Sequence, residues 1–268
     1  MSLLSCEKSF YLPFQNAENI EHYALSNNTI LIVTENWEYV LWDGLREETI
    51  SQGKFPENKE HSGICSIYSY WFSHINNEKI VYFSQTDKCL KTWDLTNKDP
   101  NQTAEQWPGL IDVKEEFNFF MWVHFIRSSG KVLILHMISF ERVALIECDR
   151  DGAQREISQI EIKNVNCVHV QGDQFYFASN VEDNMPIYIA SAEGIKKIQF
   201  EIKSDVTLIE FGFLKEDLMF LLYNANEVAD TGAYLINIGA YDLNSNPKII
   251  EDEDGVQKVT LHDETNPV

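Results

Sequence analysis

The sequence predicts an all-β protein, a β-propeller of about five to six four-stranded blades. Two observations carry this prediction. A pair of short apolar strands recurs five times at nearly constant spacing, and β-branched and aromatic residues fill the stretches between turn-forming residues. No stretch keeps the 3.6-residue apolar period of an amphipathic helix. The 268 residues, 44% of them hydrophobic, suffice for a buried core, which excludes intrinsic disorder.

The first strand of each repeat follows a turn rich in Asn, Asp, Gly or Ser. These strands are predicted at residues 29–33, 79–83, 131–135, 174–178 and 218–222. Equivalent positions in them lie 50, 52, 43 and 44 residues apart, at Ile30, Ile80, Val132, Phe175 and Met219. This spacing is typical of a four-stranded propeller blade, which takes about 40–50 residues.

The second strand of each repeat follows at the distance of a hairpin. These strands are predicted at residues 38–42, 89–93, 142–146, 187–190 and 233–236, and an earlier strand precedes some pairs, at 119–126 and 165–170. A β-sandwich of two domains is the alternative, but it would not require the second hairpin to recur at a fixed offset. The polar connector 97–116 contains Pro100, Pro108 and Gly109, which predicts a loop.

One propeller domain is expected to span residues 1–268. Its repeat units are predicted at residues 20–55, 61–100, 117–155, 162–195 and 204–245. Three ways of completing the propeller stay open. The first is a propeller of five blades. In the second, the terminal strands 1–19 and 246–262 pair to build one more blade, and in the third a partner completes the ring.

The second unit contains His61, an apolar strand, a turn, Asp87 before the next tight turn, and a strand that ends in Trp93 followed by an aspartate. In this order of residues the unit resembles a WD repeat. The resemblance implies that these three residues join a serine or threonine in a hydrogen-bonded set that ties neighbouring strands, although Phe83 stands in the serine position. Trp42 ends the corresponding strand of the first unit, and the role expected of all four residues is structural.

The net charge limits which kinds of partner are expected. Forty-two acidic against 21 basic residues give a formal charge of −21, which repels phosphate backbones and anionic lipids. No apolar run approaches the ~20 residues of a membrane span, and the first residues lack the apolar stretch of a signal peptide. Five scattered cysteines fit reduced thiols. We therefore expect a cytoplasmic or nuclear protein that binds neither nucleic acid nor membrane.

The sequence contains no recognisable catalytic or metal-binding set, and no cofactor or small-molecule substrate is expected. Cys167 and His169 share one face of a predicted strand, but two ligands do not make a zinc site. Residues 98–101 (Lys-Asp-Pro-Asn) resemble part of the motif of invertase-like five-bladed glycosidases. That resemblance implies a glycoside hydrolase or a lectin as one alternative function.

A non-catalytic scaffold or adaptor subunit of a multiprotein complex is the leading functional prediction. The acidic surface favours a partner with a basic surface. Trp37 and Trp107 lie in predicted loops, where a tryptophan either anchors the loop or contacts a partner. The acidic run 251–254 reads as a solvated turn, with docking of a basic partner as the alternative.

A second alternative comes from the second half of the chain. Residues 142–148, the charged turn 149–152 and the segment 183–188 resemble parts of the non-catalytic WD subunits of tRNA guanine-N7 methyltransferases. That resemblance implies support of a basic catalytic partner, which the acidity of this chain would suit.

Overall fold

The protein is described by a computed structural model. It describes residues 20–24, 29–34, 38–55, 72–76, 78–84, 87–97, 99, 102–111, 121–163, 165–179, 186–201, 206–225, 231–245, 247–251 and 254–260. In these ranges, no helix is long and apolar enough to cross a membrane. The only helical segments in them are two short 3-10 turns, Ile238–Ala240 and Leu243–Ser245.

The described strands form five sheets, numbered here in chain order. Sheet 1 contains β1 (Ile20–Ala24), β2 (Thr29–Thr34), β3 (Glu38–Asp43) and β4 (Glu48–Lys54). Sheet 2 contains β5 (Phe72–His74), β6 (Lys79–Ser84), β7 (Cys89–Asp94) and β8 (Glu105–Gln106). Sheet 3 contains β9 (Met121–Ile126), β10 (Lys131–Ser139), β11 (Arg142–Cys148) and β12 (Gln154–Glu161).

Sheets 4 and 5 follow the same plan. Sheet 4 contains β13 (Val165–Gln171), β14 (Gln174–Ser179), β15 (Ile187–Ser191) and β16 (Gly194–Glu201). Sheet 5 contains β17 (Val206–Lys215), β18 (Leu218–Ala225), β19 (Thr231–Asn237) and β21 (Val256–Thr260). Each sheet is an antiparallel meander of four strands, and β20 (Lys248–Ile250) adds to sheet 4 in parallel with β16. The predicted all-β propeller class, with four-stranded blades, is confirmed.

The two C-terminal strands join different sheets. β21 pairs with β19, Ile236 opposite Val256, and supplies the fourth strand of sheet 5. β20 extends sheet 4, with Phe200 opposite Ile249. Residues 1–19 lie outside the described residues, so the predicted pairing of the two termini and the single-domain organisation stay predictions.

Burial explains which strands the sequence pattern reveals. The middle strands are buried on both faces, as in β6, where all residues after Lys79 are buried, and in β10, where Val132 to Met137 are. They therefore read as continuous apolar runs. The outer strands are mostly exposed, as in β4, where only Ser51 is buried. A strand such as β4 carries no apolar alternation, whereas β16 keeps a short one at Ile198 and Phe200.

The second repeat extends further than the sequence indicates. The connector 97–116 was expected to be a loop, but Glu105 and Gln106 form β8 and pair with Thr92 and Lys91 of β7. Both residues of β8 are exposed. The main-chain hydrogen bonds of an edge strand need no apolar side chains, which is why the pattern misses it.

The chain divides into two compact units. The first comprises residues 1–67 and 95–102 and contains sheet 1. Within it the Tyr39 hydroxyl donates to the carbonyl of Leu95 at 3.2 Å, and the Tyr39 ring packs on Phe55 with centroids 4.8 Å apart. The same ring fills the space beside Gly53, where a Cβ would lie 2.8 Å from the phenol oxygen.

The second unit comprises residues 68–94 and 103–268 and contains sheets 2 to 5. Neighbouring sheets in it pack face to face through three clusters of buried side chains. Central members of these clusters are Val81 and Ile134 between sheets 2 and 3, Leu133 and Phe177 between sheets 3 and 4, and Ile187 and Phe211 between sheets 4 and 5. Face-to-face packing of successive sheets fixes which turns lie side by side.

Candidate functional site: an acidic cleft between sheets 4 and 5

A cleft of about 490 Å³ lies at one end of sheets 4 and 5, within the second unit. Four connections form its walls: the β13–β14 turn, the β15–β16 turn, the β17–β18 turn and the segment after β19. Alternate turns of an antiparallel meander lie at the same end of the sheet, so packing of the two sheets brings all four together. The volume is within the ~300–1,000 Å³ of ligand-binding clefts.

The floor of the cleft is largely apolar. Tyr176, Ile189 and Ile238 line it, and all three belong to the buried core between the two sheets. The Tyr176 ring meets Phe213 edge-on with centroids 4.7 Å apart, and its hydroxyl donates to Gln174 Oε1 at 3.0 Å. Burial, and then the negative charge of Asp217, raise the pKa of Tyr176. The phenol therefore stays protonated and fixed in direction.

The rim of the cleft is acidic. Five exposed carboxylates and one ammonium group line it: Asp173, Glu193, Glu216, Asp217, Asp242 and Lys196. The Lys196 Nζ donates to the amide oxygen of Asn244 at 2.9 Å. Hydrogen bonds from the Ser245 hydroxyl and the Asn244 backbone lower the pKa of Asp242, so this carboxylate stays ionised.

Neutral groups hold the rim carboxylates in place. The Ser128 hydroxyl donates to Asp173 Oδ2 at 2.7 Å, and the Ser191 hydroxyl donates to Glu193 Oε2. Neither Glu216 nor Asp217 has an ion-pair partner among the residues that the structure describes. The cleft therefore carries an excess of negative charge that its own side chains do not neutralise.

Sheet 3 holds the β13–β14 wall of the cleft through His124. The Nε2 of His124 lies 3.0 Å from the carbonyl oxygen of Gly172, and its Nδ1 lies 3.5 Å from the Ser73 hydroxyl. A carbonyl only accepts, so Nε2 carries the proton and Nδ1 accepts from Ser73. Burial lowers the pKa of His124 to about 4, despite the opposing effects of Gly172 and the Asp173 charge. A neutral imidazole thus joins three sheets at the edge of the cleft.

The wall after β19 is built by a short 3-10 turn. Asn237 caps it, its Oδ1 accepting from the Gly239 amide at 3.1 Å, and the Ile238 amide donates to the backbone oxygen of Asp217 at 2.8 Å. Gly255 accepts from the amide of Asn237 at 2.8 Å. These bonds tie the β17–β18 turn to the segment that faces it. Asp217 is therefore placed by backbone contacts that do not involve its carboxylate.

The residues expected to form the WD-type hydrogen-bonded set lie apart where the structure describes them. Asp87 is in the β6–β7 turn, where it accepts from the Ser84 hydroxyl at 2.9 Å and pairs with Lys91. Trp93 is buried near the other end of β7, opposite Ile80. His61 lies outside the described residues, so its part in the set stays a prediction.

Trp42 is half-buried on β3, opposite Ile30, and the aspartate after it organises the following turn. Asp43 Oδ1 accepts from the amides of Leu45 and Arg46 at 2.9 and 3.1 Å. The structural role expected of Trp42 stays a prediction.

Of the two tryptophans predicted to lie in loops, the structure describes Trp107. Trp107 is half-buried; its ring packs against the cluster between sheets 2 and 3, and its amide donates to the carbonyl of Leu90 at 2.8 Å. These contacts favour the loop-anchoring alternative for Trp107. Trp37 lies outside the described residues. Contact of either tryptophan with a partner stays a prediction.

The Cys167 and His169 pair gains a third neighbour in the structure. The Glu210 carboxylate of β17 lies 3.2 Å from His169 Nε2, and Cys167 donates to the carbonyl of Ile209 at 3.7 Å. Burial, and then the Glu210 charge, raise the pKa of Cys167 to about 12, so the thiol stays protonated. Over the described part of the chain, no group of three or more His, Cys, Asp or Glu residues could hold a metal ion.

The remaining motifs form turns where they are described. The backbone oxygen of Asp99 accepts from the Gln102 amide at 3.0 Å, while residues 98, 100 and 101 lie outside the described residues. In the acidic run, Glu251 pairs with Lys258 at 3.5 Å, and Gly255 has a φ of 103° that suits a turn. Residues 252 and 253 are not described.

Sequence reasoning missed the cleft, although it singled out two of the turns that form it. The turns at 172–173 and 215–217 were recognised, but only as the starts of the strands predicted at 174–178 and 218–222. The signal that could have located the site is the acidic character shared by three of the connections, at Asp173, Glu193 and the pair Glu216 and Asp217. Only the packing of sheets 4 and 5 shows that these turns meet.

Comparison with known proteins gives likenesses of fold only. No protein-family profile matches the chain, and no curated protein sequence does. Among solved structures, the C-terminal WD40 domain of Sif2 is similar over 85% of this chain at 10% identity, with a TM-score of 0.47. The β-propeller domain of Cps50 (Swd1) from Myceliophteria thermophila is similar over 79% at 12% identity, also with a TM-score of 0.47.

An enzyme is found at the same level of similarity. A post-proline cleaving enzyme from Rickettsia typhi is similar over 91% of this chain at 12% identity, with a TM-score of 0.47. The chain spans 58% of the Sif2 chain, 67% of the Swd1 chain and 38% of that enzyme. Likenesses at this level carry no functional argument, so function has to be argued from the site.

Proposed function

We propose that this protein is a non-catalytic interaction scaffold that binds a basic partner protein at the acidic cleft between sheets 4 and 5. The observation that carries the proposal is the rim of five carboxylates around one ammonium group, above a floor that includes Tyr176 and Ile238. Binding sites between proteins combine an apolar centre with a polar rim. A charged rim also steers a partner of opposite sign.

The state of the reactive groups supports a non-catalytic role. Burial and neighbouring carboxylates raise the pKa of Cys148 and of Cys167 to about 12, which makes both thiols poor nucleophiles. His124 is neutral and has both ring nitrogens engaged with Ser73 and Gly172. These groups are used to hold the structure together.

The narrower alternatives stay hypotheses. A non-catalytic subunit of a tRNA guanine-N7 methyltransferase is one form of such a scaffold, and an acidic cleft suits a basic catalytic partner. For a glycosidase or lectin, the described residue is Asp99, which lies in an exposed turn of the first unit. Direct binding of nucleic acid is not expected, because the cleft carries the sign of charge that repels phosphate.

Site-specific cross-linking tests the location of the interface. A photo-reactive amino acid is placed at Glu216, on the rim directly after β17, and in a control variant at Thr207, which is exposed near the beginning of β17. Eight residues of strand separate Thr207 from the end of β17, roughly 26 Å. The expected result is a protein cross-linked from Glu216 but not from Thr207. Cross-linking of the same protein from both positions, or from neither, would refute the cleft as the interface.

A further inference from the structure

We infer that the cleft between sheets 4 and 5 accepts an arginine side chain carried by an exposed segment of the partner. This inference rests on the proposed function and names the chemistry of the same site. The walls are turns, so the cleft opens at the end of the two sheets, where a chain segment can reach it. Its volume of about 490 Å³ suits a long side chain with part of its backbone.

The negative charge of the rim favours a positively charged occupant. Three of the rim carboxylates accept hydrogen bonds from neutral hydroxyl groups: Asp173 from Ser128, Glu193 from Ser191 and Asp242 from Ser245. Lys196 gives its hydrogen bond to the Asn244 amide. A carboxylate bonded to a hydroxyl keeps its full charge and has free lone pairs. The cleft therefore presents several acceptors to one incoming cation.

The floor favours a guanidinium over an ammonium group. Tyr176 and Tyr241 line the cleft, and the Tyr176 ring is fixed by Phe213 and by its bond to Gln174. A guanidinium is planar, is weakly hydrated and stacks on aromatic faces, while its five N–H donors can serve more than one carboxylate. An ammonium is a compact point charge that loses more on leaving water. Because Tyr176 is buried, the half-buried Tyr241 is the ring that an incoming guanidinium can contact, and the five carboxylates come from four separate connections. This combination fits arginine.

Peptide titration followed by NMR tests the inference. The probe is the peptide acetyl-Gly-Ala-Arg-Ala-Arg-Ala-Gly-amide, and its control replaces both arginines by citrulline, which keeps the shape and removes the charge. The amide signals of Gly172 and Gly239, on opposite walls, report binding. Arginine-dependent shifts at both glycines are the expected result. Equal binding of the citrulline peptide, or shifts confined to other regions, would overturn the inference, as would equal binding of the bis-lysine peptide.

Variants separate a local site from the effect of net charge. Asp217→Asn removes one rim charge and keeps the backbone bond to Ile238, and it should weaken peptide binding about fivefold. Glu161→Gln removes one charge from exposed β12, outside the cleft, and should change binding by less than about twofold. Equal weakening by the two variants would show that only overall charge matters, which contradicts the inference.

Lys196→Ala gives a result that loss of structure cannot imitate. Lys196 is the cation on the described rim and competes with an incoming arginine for the field of the carboxylates. Its removal should tighten binding of the arginine peptide by about two- to fivefold. Weaker or unchanged binding would contradict the inference that Lys196 competes with the arginine for the rim carboxylates. If the partner still cross-links from Glu216 but the peptide tests fail, the cleft remains the proposed interface and the inference that it binds arginine is refuted.

Discussion

Acidification should destabilise the protein through His124. Its pKa in the unfolded chain is near the ordinary 6.5, and burial lowers it to about 4 in the fold. Between these values the unfolded chain holds a proton that the folded chain does not, so stability is greatest above pH 6.5 and falls as the pH drops towards 4. At ~1.4 kcal/mol per pKa unit, a shift of about 2.5 units corresponds to a loss of about 3 kcal/mol.

Urea unfolding at pH 7, 6, 5 and 4 measures this loss, with His124→Gln as the non-titrating variant. The glutamine amide can still donate to the Gly172 carbonyl. The stability difference between the parent and this variant should shrink by about 3 kcal/mol between pH 7 and 4. Val132→Ala, a core truncation without a titrating group, should give a constant difference. Parallel pH profiles for the parent and His124→Gln would refute the reasoning.

Three further predictions concern packing and reactivity. Gly152→Ala should lower the unfolding free energy in urea melts by about 3 kcal/mol more than Gly172→Ala does. A Cβ at Gly152 would lie 2.4 Å from the Pro108 carbonyl oxygen, whereas Gly172 faces open space. Both glycines have a positive φ, so equal costs would contradict the predicted clash. Cys167 should react with a thiol reagent at pH 8 only after unfolding, as followed by peptide mass spectrometry, and fast native labelling would argue against its burial. Trp93→Ala should cost about 3–5 kcal/mol of unfolding free energy, since the ring is buried; a change below 1 kcal/mol would be inconsistent with that position.

The sequence alone determined the framework of the five sheets. The paired strands expected in each repeat coincide with β2 and β3, β6 and β7, β10 and β11, β14 and β15, and β18 and β19. These strands could be predicted because both faces are buried, which requires nearly continuous apolar residues bounded by turns. The net charge was likewise available from composition, and it set the expected chemistry of the partner.

Tertiary structure alone decided the outer strands and the cleft. β8 and β12 are largely polar because an outer strand needs only main-chain hydrogen bonds on one edge, and that leaves no periodic signal. The cleft draws Asp173, Glu193 and Asp217 from separate turns, and their proximity depends on the packing of two sheets. Sequence spacing does not encode the contact of two sheet ends, since side chains distant along the chain meet only when the core between the sheets forms.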